Sequence, residues 1–475
     1  MKVAWTLAGS DPSGFAGLQA DMRTFEAMNV HGMSAVSAVT SQHPDACFGV
    51  SPVSEKDFRA QIEALKEFAK PDAVKTGLLN TEGLVQIAAR SLSSKDAPVI
   101  VDPVCVSSSG FRFADPATLR AYEKFLFPVA SLVTPNLPES VEFSGQEDIE
   151  KAALYFLDTG SEAVLIKGGH RVSDWASDYF SNGESSFQLS LPHVSVASAP
   201  GTGCTLSAAI AAACALGHSI ADAIVLAKAY LHRALSLARP CGSSLHLHHG
   251  PWPVPKEHFP RLHKGEFVDR KEFLQCEERI GFYPIVPRAA WVERLVEAGA
   301  KTVQLRIKDL RGEELLKEIK VTSEFCKTRN IQLFINDYWE EALEVGAYGV
   351  HLGQEDLPNA DLDRLLRAGL RLGISTHSYS ELATALYFKP SYVALGPIFP
   401  TTCKSMRFGP QGFNTLSDWC TLSDVPVVAI GGLRCEHAAE IYRAGAQGAA
   451  VVSDVLEHAA PETRTKEWLQ KTKEA

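Results

Sequence analysis

Short apolar runs recur along the chain, separated by stretches in which apolar residues return at helical spacing. In the first half the runs fall at 3–8, 34–40, 72–77, 99–104, 132–139 and 163–167. Such runs read as strands buried on both faces, and helices between successive strands predict a parallel sheet. The first run passes through a glycine-rich loop, Gly9-Ser10-Asp11-Pro12-Ser13-Gly14-Phe15-Ala16-Gly17, into a helix expected from Leu18 to about Met28. Near the end of this half, Ala199-Pro200-Gly201-Thr202-Gly203-Cys204-Thr205 turns into an alanine-rich helix. From Ile280 the beat is more regular. Runs at 281–286, 302–307, 332–335, 349–352, 371–374, 392–395, 426–430 and 448–452 alternate with helical segments such as 290–298, 313–327 and 378–388. Eight strands alternating with helices predict a (β/α)8 barrel with its active site at the C-terminal strand ends.

Between these patterns the chain turns to proline, glycine and histidine: Pro240-Cys241-Gly242-Ser243-Ser244, then His246, His248 and His249, then Gly250-Pro251-Trp252-Pro253. The three histidines suit a metal, but prolines and glycines deny a fixed ligand geometry, so the stretch reads as a polar linker. The expected organisation is a domain over 1–240, a linker over 241–279 with a short helix at 270–278, and a barrel over 280–475.

A chain of 475 residues exceeds one ordinary core, which agrees with two domains. A formal charge of −10 argues against general affinity for nucleic acid or anionic membrane and leaves small phosphorylated molecules as partners. No run reaches membrane length, and the N-terminal apolar run is too short for a signal peptide. Ten cysteines without a C-x-x-C pair fit reduced thiols in a cytoplasm. Self-association is left open.

Three features of the first half carry chemistry. At the Gly201–Cys204 turn, the free N–H groups of a first helical turn suit a phosphate, and a helix N-terminus is expected to lower the pKa of Cys204 toward that of a usable base. A small core cysteine in a buried turn is the equal alternative. Asn136 and Glu139 can hold magnesium or form a helix cap. Lys167-Gly168-Gly169-His170 follows the run at 163–167.

On AGSDPSGFAGLQAD, KTGLL, VDPV, LVTPNLPE, KGGH and GTGCTLSAAIAA, residues 3–237 resemble the ribokinase-like superfamily, and within it hydroxymethylpyrimidine/phosphomethylpyrimidine kinase. The resemblance implies a three-layer α/β/α fold. It also implies two successive transfers of the ATP γ-phosphate, first to hydroxymethylpyrimidine and then to its monophosphate. By position, Cys204 is then the base, with the N–H groups of Gly201 to Cys204, Gly203 included, as the anion hole. Asp21, Gln42 and Leu78 contact the pyrimidine, Asn136 and Glu139 handle magnesium, and Lys167 and Gly169 serve the nucleotide. Phe15 stands where a glycine is usual, which predicts a differently shaped loop because phenylalanine does not take a positive φ cheaply. Pro200 replaces a usual histidine.

In the second half, the groups after each run share one theme. Gln304, Arg306 and Lys308 belong to the second run, Asn336 and Asp337 to the third, Asp356 to the fourth and Ser375 to the fifth. Thr401, Thr402 and Lys404 follow the sixth, Gly432 the seventh, and Val452 and Ser453 the eighth. Two carboxylates for magnesium and several cations for phosphate oxygens point to a diphosphate. On VQLRIKD, LFINDYW, YGVHLGQEDL, LGISTHS, YVALGPIFPT, VVAIGG and AVVS, residues 280–456 resemble thiamine-phosphate synthase. The resemblance implies coupling of hydroxymethylpyrimidine diphosphate to thiazole phosphate. Gln304, Arg306, Lys308, Asn336, Ser375 and Lys404 then hold the diphosphate, Asp337 and Asp356 the Mg2+, and Thr401, Thr402, Gly432, Val452 and Ser453 the thiazole phosphate. A thiazole tautomerase-like barrel, a vitamin-binding regulator in place of the kinase, and a pyridoxine side activity are the alternatives.

Overall fold

The structure is a computed structural model that describes the chain except residues 94–95, 107–109, 170–173, 197–198, 401–408 and 475. It divides into two compact units, Met1–Val254 with His258–Phe267, and Pro255–Glu257 with Val268–Ala475.

The first unit is built on one sheet. Its strands are β1 (Val3–Ser10), β2 (His31–His43), β3 (Ala46–Pro52), β4 (Ala73–Thr76), β5 (Val99–Val101), β6 (Leu132–Val133), β7 (Val164–Ile166), β8 (Trp175–Ser181) and β9 (Ser186–Pro192). A small hairpin, β10 (Arg239–Cys241) and β11 (Ser244–His246), stands apart, and β12 (Arg261–His263) returns to the sheet edge. The order is β12-β9-β8-β7-β6-β5-β4-β1-β2-β3. The six runs read from the sequence form the parallel centre. The expectation of an all-parallel sheet is corrected at both edges, where β2 with β3, β7 with β8, β8 with β9, and β9 with β12 pair antiparallel. These edge strands mix polar with apolar residues, as in Trp175-Ala176-Ser177-Asp178, so they lack the continuous run that marks a doubly buried strand.

Helices cover the sheet: α1 (Gly17–Ala27), α2 (Glu55–Phe68), α3 (Glu82–Leu92), α4 (Pro116–Ala121), α5 (Leu137–Ser144), α6 (Ile149–Asp158), α7 (Thr202–Ala215) and α8 (Ile220–Ser236). Helix α7 packs against α1 and α8 and lies on β1, β4 and β5, while α2 packs on α3, and α5 on α6. Residues Thr205 to Ala215 of α7 are all buried, because alanine and other small side chains let the helix be enclosed all round. The functional turn at its start thus sits on a fixed base.

Much of the stretch read as a linker is folded onto the first unit. His246 meets the Phe15 ring at 5.3 Å, and its Nε2 lies 3.2 Å from Arg23. No helix forms over 270–278, where the backbone is irregular; with Arg270, Lys271, Glu272, Glu277 and Glu278 crowded around only a few apolar residues, that segment has a weak apolar face to bury.

In the second unit, β13 (Gly281–Val286), β14 (Thr302–Leu305), β15 (Gln332–Asn336), β16 (Gly349–Leu352), β17 (Arg371–Thr376), β18 (Tyr392–Leu395), β19 (Val427–Ile430) and β20 (Gly448–Val451) close into a barrel of parallel neighbours. Its interior holds Tyr283, Ile285, Phe334, Tyr392, Ala394, Val428 and Ala450. Two glycines make room for the rings: a Cβ on Gly349 would lie 2.6 Å from the Phe334 ring, and one on Gly373 would overlap Tyr392. Large and small side chains thus interlock across the barrel. No helix among the described residues is long and apolar enough to cross a membrane.

Candidate active sites

In the first unit two glycine turns meet. Asp11 organises the first: its carboxylate accepts from the Ser13 N–H and hydroxyl at 2.9 and 2.7 Å, and from the Ala16 N–H at 2.8 Å. The positive φ angles fall on Gly14 (76°) and Gly17 (59°), not on Phe15. Phe15 itself is thus spared a left-handed conformation, which its glycine neighbours carry. Gly201, with φ 86°, begins the second turn, and a Cβ there would run into the Phe15 carbonyl. Only glycine permits this approach. Gly201 also caps α7 without any side chain, so the first N–H groups of the helix are left for a ligand.

Around this junction lies a chain of buried charges. Lys75 and Asp21, both without exposed side-chain surface, pair at 2.8 and 3.0 Å, and Thr6 donates to Asp21 at 2.7 Å. Burial pushes the Asp21 carboxyl up while Lys75 pulls it back, and for Lys75 burial pulls down while Asp21 holds it above its ordinary value. Asp102, at the end of β5, accepts from Lys167 at 2.8 Å, from Thr134 at 3.1 Å and from Ser207 of α7 at 3.2 Å. Burial opposes its ionisation, but Lys167, Lys75 and the Thr134 hydrogen bond together outweigh burial and keep it below the usual carboxylate range. A Cβ on Gly203 would lie 3.3 Å from Lys167 Nζ, which places that ammonium beside the turn.

Cys204 differs from expectation. Burial pushes its thiol up to about 11, against the pull of Lys75 and a hydrogen bond from the Gly17 N–H. The helix terminus does not by itself deliver a low-pKa thiol. Asn136 and Glu139 form a full capping box, each backbone N–H donating to the other's side chain at 2.8 Å. Glu139 is nonetheless pushed up to about 7, by burial first and against the pull of Lys167, with Asp102 adding to the rise. Gln42 lies at a register shift where β2 pairs with β3, and Leu78 joins Ala38 and Phe113 in a small apolar cluster. Gly169 follows Gly168, whose N–H donates to Asp178 at 2.9 Å, and Asp178 pairs with Lys228 at 2.7 Å. His170 lies outside the described residues.

In the barrel unit, the described candidates gather at the C-terminal strand ends. Asp337 has φ 66°, an uncommon conformation for a non-glycine residue, and its N–H donates to the His351 carbonyl at 2.9 Å. Its carboxyl is raised to about 6, by desolvation at the rim, although it still meets solvent, and by the Asp356 carboxylate, against the pull of Arg306. Asp356 is held by the Gly353 N–H at 3.2 Å. Two carboxylates this close, one unwilling to ionise beside the other, are a donor set suited to a divalent cation that shares them with waters and phosphate oxygens. Among the described residues no group of three or more His, Cys, Asp or Glu side chains is placed to bind a metal.

Gln304 is buried and donates to the Tyr283 hydroxyl at 3.0 Å, and Asn336 is buried at the end of β15. Ser375 contacts His351 at 2.7 Å, and its carbonyl accepts from Gln354 at 2.7 Å. Burial holds His351 down at about 3. Lys308 is exposed beyond β14. Gly432, with φ 66°, packs under Phe399 and Pro400, and Val452 and Ser453 open α16 (Ser453–Leu456) beyond β20. Thr401, Thr402, Cys403 and Lys404 lie outside the described residues. The sequence reading did not single out Lys75, Asp102, Tyr283, His351 and Tyr392 as site residues. Their signal was a polar or hydroxyl-bearing side chain inside an otherwise apolar run, or, for Asp102, at its end.

Residues 11–254 match the family model described as phosphomethylpyrimidine kinase, and residues 283–455 that of thiamine monophosphate synthase. A probable thiamine biosynthetic bifunctional enzyme of Oryza sativa subsp. japonica is 33% identical over 475 residues, covering 95% of this chain and 85% of the relative. A thiamine-phosphate synthase of Neisseria meningitidis is 51% identical over 195 residues, covering 41% of this chain and 95% of the relative. A solved structure of the pyridoxal kinase from Staphylococcus aureus in complex with AMP-PCP and pyridoxal is 33% identical, covers 53% of this chain and 94% of that chain, and has a TM-score of 0.49.

Proposed function

Because this chain belongs to the family of bifunctional thiamine biosynthetic enzymes, a phosphomethylpyrimidine kinase followed by a thiamine monophosphate synthase, we propose that it makes and then consumes one intermediate. The first unit transfers the ATP γ-phosphate to hydroxymethylpyrimidine and a second phosphate to the monophosphate. The second unit joins the resulting diphosphate to thiazole phosphate, giving thiamine phosphate and pyrophosphate.

The observation that carries the kinase assignment is the meeting of the two glycine turns beside Lys167. The free N–H groups from Gly201 to Cys204 and the Lys167 ammonium are placed to neutralise charge on a phosphoryl group in transit. As the substrate hydroxyl attacks the γ-phosphorus and the bond to the β-phosphate oxygen breaks, the hydroxyl proton passes to Cys204 Sγ. Only the thiolate can take that proton, so burial, which pushes the thiol up to about 11, keeps the reactive fraction small near neutrality and lets it grow with pH. Gln42 and Leu78 contact the pyrimidine, with Asp21 held rigid behind them, and Gly169 serves the nucleotide. Asn136 and Glu139, engaged as a cap, serve magnesium through water.

In the barrel, Asp337 and Asp356 would hold Mg2+, which supplies charge neutralisation for the departing diphosphate. Arg306, Lys308 and Lys404 add positive charge to the same oxygens, and Gln304, Asn336 and Ser375 orient the pyrimidine diphosphate. The bond from the pyrimidine methylene carbon to the diphosphate oxygen breaks, and the thiazole nitrogen attacks that carbon. Thr401, Thr402, Gly432, Val452 and Ser453 hold the thiazole phosphate. The nine cysteines of the described residues are free, which supports a reducing compartment such as the cytosol. The kinase domain is assigned as 1–240 and the synthase as 280–475, with 241–279 between them, much of it folded onto the first unit.

The test supplies the purified chain with hydroxymethylpyrimidine, ATP, Mg2+ and thiazole phosphate, and a parallel tube with the pyrimidine diphosphate. Thiamine phosphate is expected in both. Product in the diphosphate tube alone overturns the kinase assignment, and product in neither overturns both.

A further inference from the structure

Across the barrel interior runs one unbroken line of hydrogen bonds. Gln304 Nε2 donates to the Tyr283 hydroxyl at 3.0 Å, the Tyr283 and Tyr392 hydroxyls lie 2.8 Å apart, the Tyr392 hydroxyl lies 2.8 Å from His351 Nδ1, and His351 Nε2 lies 2.7 Å from Ser375 Oγ. Tyr283 and Tyr392 are nearly without exposed surface and His351 is 5% exposed, so each hydroxyl hydrogen has to find its acceptor inside the line.

With the Gln304 amide nitrogen as donor to Tyr283, this bookkeeping gives the line a direction. A hydroxyl has one hydrogen. Tyr283 receives the amide hydrogen of Gln304, and its own hydrogen is directed to Tyr392. The Tyr392 hydrogen is then directed to His351 Nδ1. The imidazole therefore carries its hydrogen on Nε2 and donates to Ser375 Oγ. That leaves the Ser375 hydroxyl hydrogen outside the line, and it leaves Gln304 Oε1 as an acceptor at the other end.

We propose that Tyr283, Tyr392 and His351 are positioning residues of the synthase: they form a polarised relay that presents Gln304 as an acceptor and Ser375 as a donor to the bound pyrimidine diphosphate. The inference rests on the synthase reading for its ligand but not for its geometry. An amino group on the pyrimidine is matched by Gln304 Oε1, and a ring nitrogen or diphosphate oxygen by the Ser375 hydrogen. The reversed relay presents the opposite pattern at both ends, an amide donor and an occupied serine, which this ligand does not match. The polar line is retained in an otherwise apolar barrel, where partly satisfied it would destabilise the fold.

Two measurements on the full chain test it. The first is the ring 15N spectrum of histidine-labelled protein, with the His351 signals identified by their loss in His351→Gln. A hydrogen on Nε2 and a bare Nδ1 are expected, and a hydrogen on Nδ1 overturns the relay. The second is a double-mutant cycle. Tyr392→Phe and Ser375→Ala are each expected to lower kcat/KM for the pyrimidine diphosphate about tenfold, the effect of about one lost hydrogen bond, with KM for thiazole phosphate unchanged. The double variant is expected to lose less than the product of the two single losses, because Tyr392 acts in part through that serine. Losses that multiply mean Tyr392 is merely structural, and the proposal fails. A wild-type chain that does not turn over pyrimidine diphosphate sinks the synthase reading alone, and the tautomer, with its expected change in Tyr392→Phe, still decides the relay.

Discussion

Lys75 has no exposed surface and, among the described residues, pairs at hydrogen-bond distance with Asp21. Truncating it strands a buried carboxylate, so Lys75→Met is expected to cost about 3–5 kcal/mol, and the double variant with Asp21→Asn to recover much of it. Denaturant unfolding of the four chains measures this. Cys204 has a thiol pushed up to about 11. Since kcat/KM follows the free enzyme, kcat/KM for hydroxymethylpyrimidine is expected to climb from pH 6 to 9; a plateau near neutrality contradicts it. At Asp337 the carboxyl is raised to about 6. In the metal-free protein its repulsion from Asp356 is relieved as pH falls through that value, so the site costs stability above it, and the cost fades between there and the ordinary carboxylate range. Magnesium reverses the cost by neutralising both groups. Mg2+ should therefore raise the unfolding temperature at pH 7.5 and lose that effect near pH 5, and Asp337→Asn should weaken the increment at pH 7.5, in thermal scans with and without the ion.

At the scale of elements, α7 and its turn are the feature on which the kinase depends. Gly201→Ala adds a Cβ against the Phe15 carbonyl at a φ of 86°. The expected result is loss of kinase activity and a stability cost of about 1–3 kcal/mol, with synthase activity retained. This turn was legible in the sequence because two glycines before an alanine run mark a sharp entry into a buried helix, although its chemical use was one of two equal readings until the other motifs were set beside it. The barrel was legible because eight apolar runs of similar length, with helical segments between, leave few other folds, and each observed strand lies within about a residue or two of its run. The edge strands β3, β8, β9 and β12 were not legible. A half-exposed strand mixes polar and apolar residues without a continuous run, and β12 joins β9 across a separation in sequence that no local pattern records. The capping box at Asn136 and Glu139 was one of two readings that spacing alone could not separate. Helix over 270–278 failed for want of an apolar face, and at the first glycine loop the left-handed conformations fall on Gly14 and Gly17 rather than on Phe15. The charges behind the site were hidden for a related reason: Lys75 sits within β4 and Asp102 just past the end of β5, and only the fold brings them to Asp21 and Lys167.

For the whole molecule, the account places two chemistries in two compact units of one chain, the first supplying what the second consumes. Tethering raises the local concentration of the diphosphate without requiring any new contact. The most direct test uses two variants, each disabled in one unit. Given hydroxymethylpyrimidine, ATP and Mg2+, the Asp337→Ala chain should accumulate the pyrimidine diphosphate and form no thiamine phosphate when thiazole phosphate is present. The Cys204→Ala chain should form thiamine phosphate from supplied diphosphate but not from hydroxymethylpyrimidine. Mixed, the two should restore the full conversion. If Cys204→Ala alone converts hydroxymethylpyrimidine and thiazole phosphate to thiamine phosphate at the wild-type rate, the central claim is wrong.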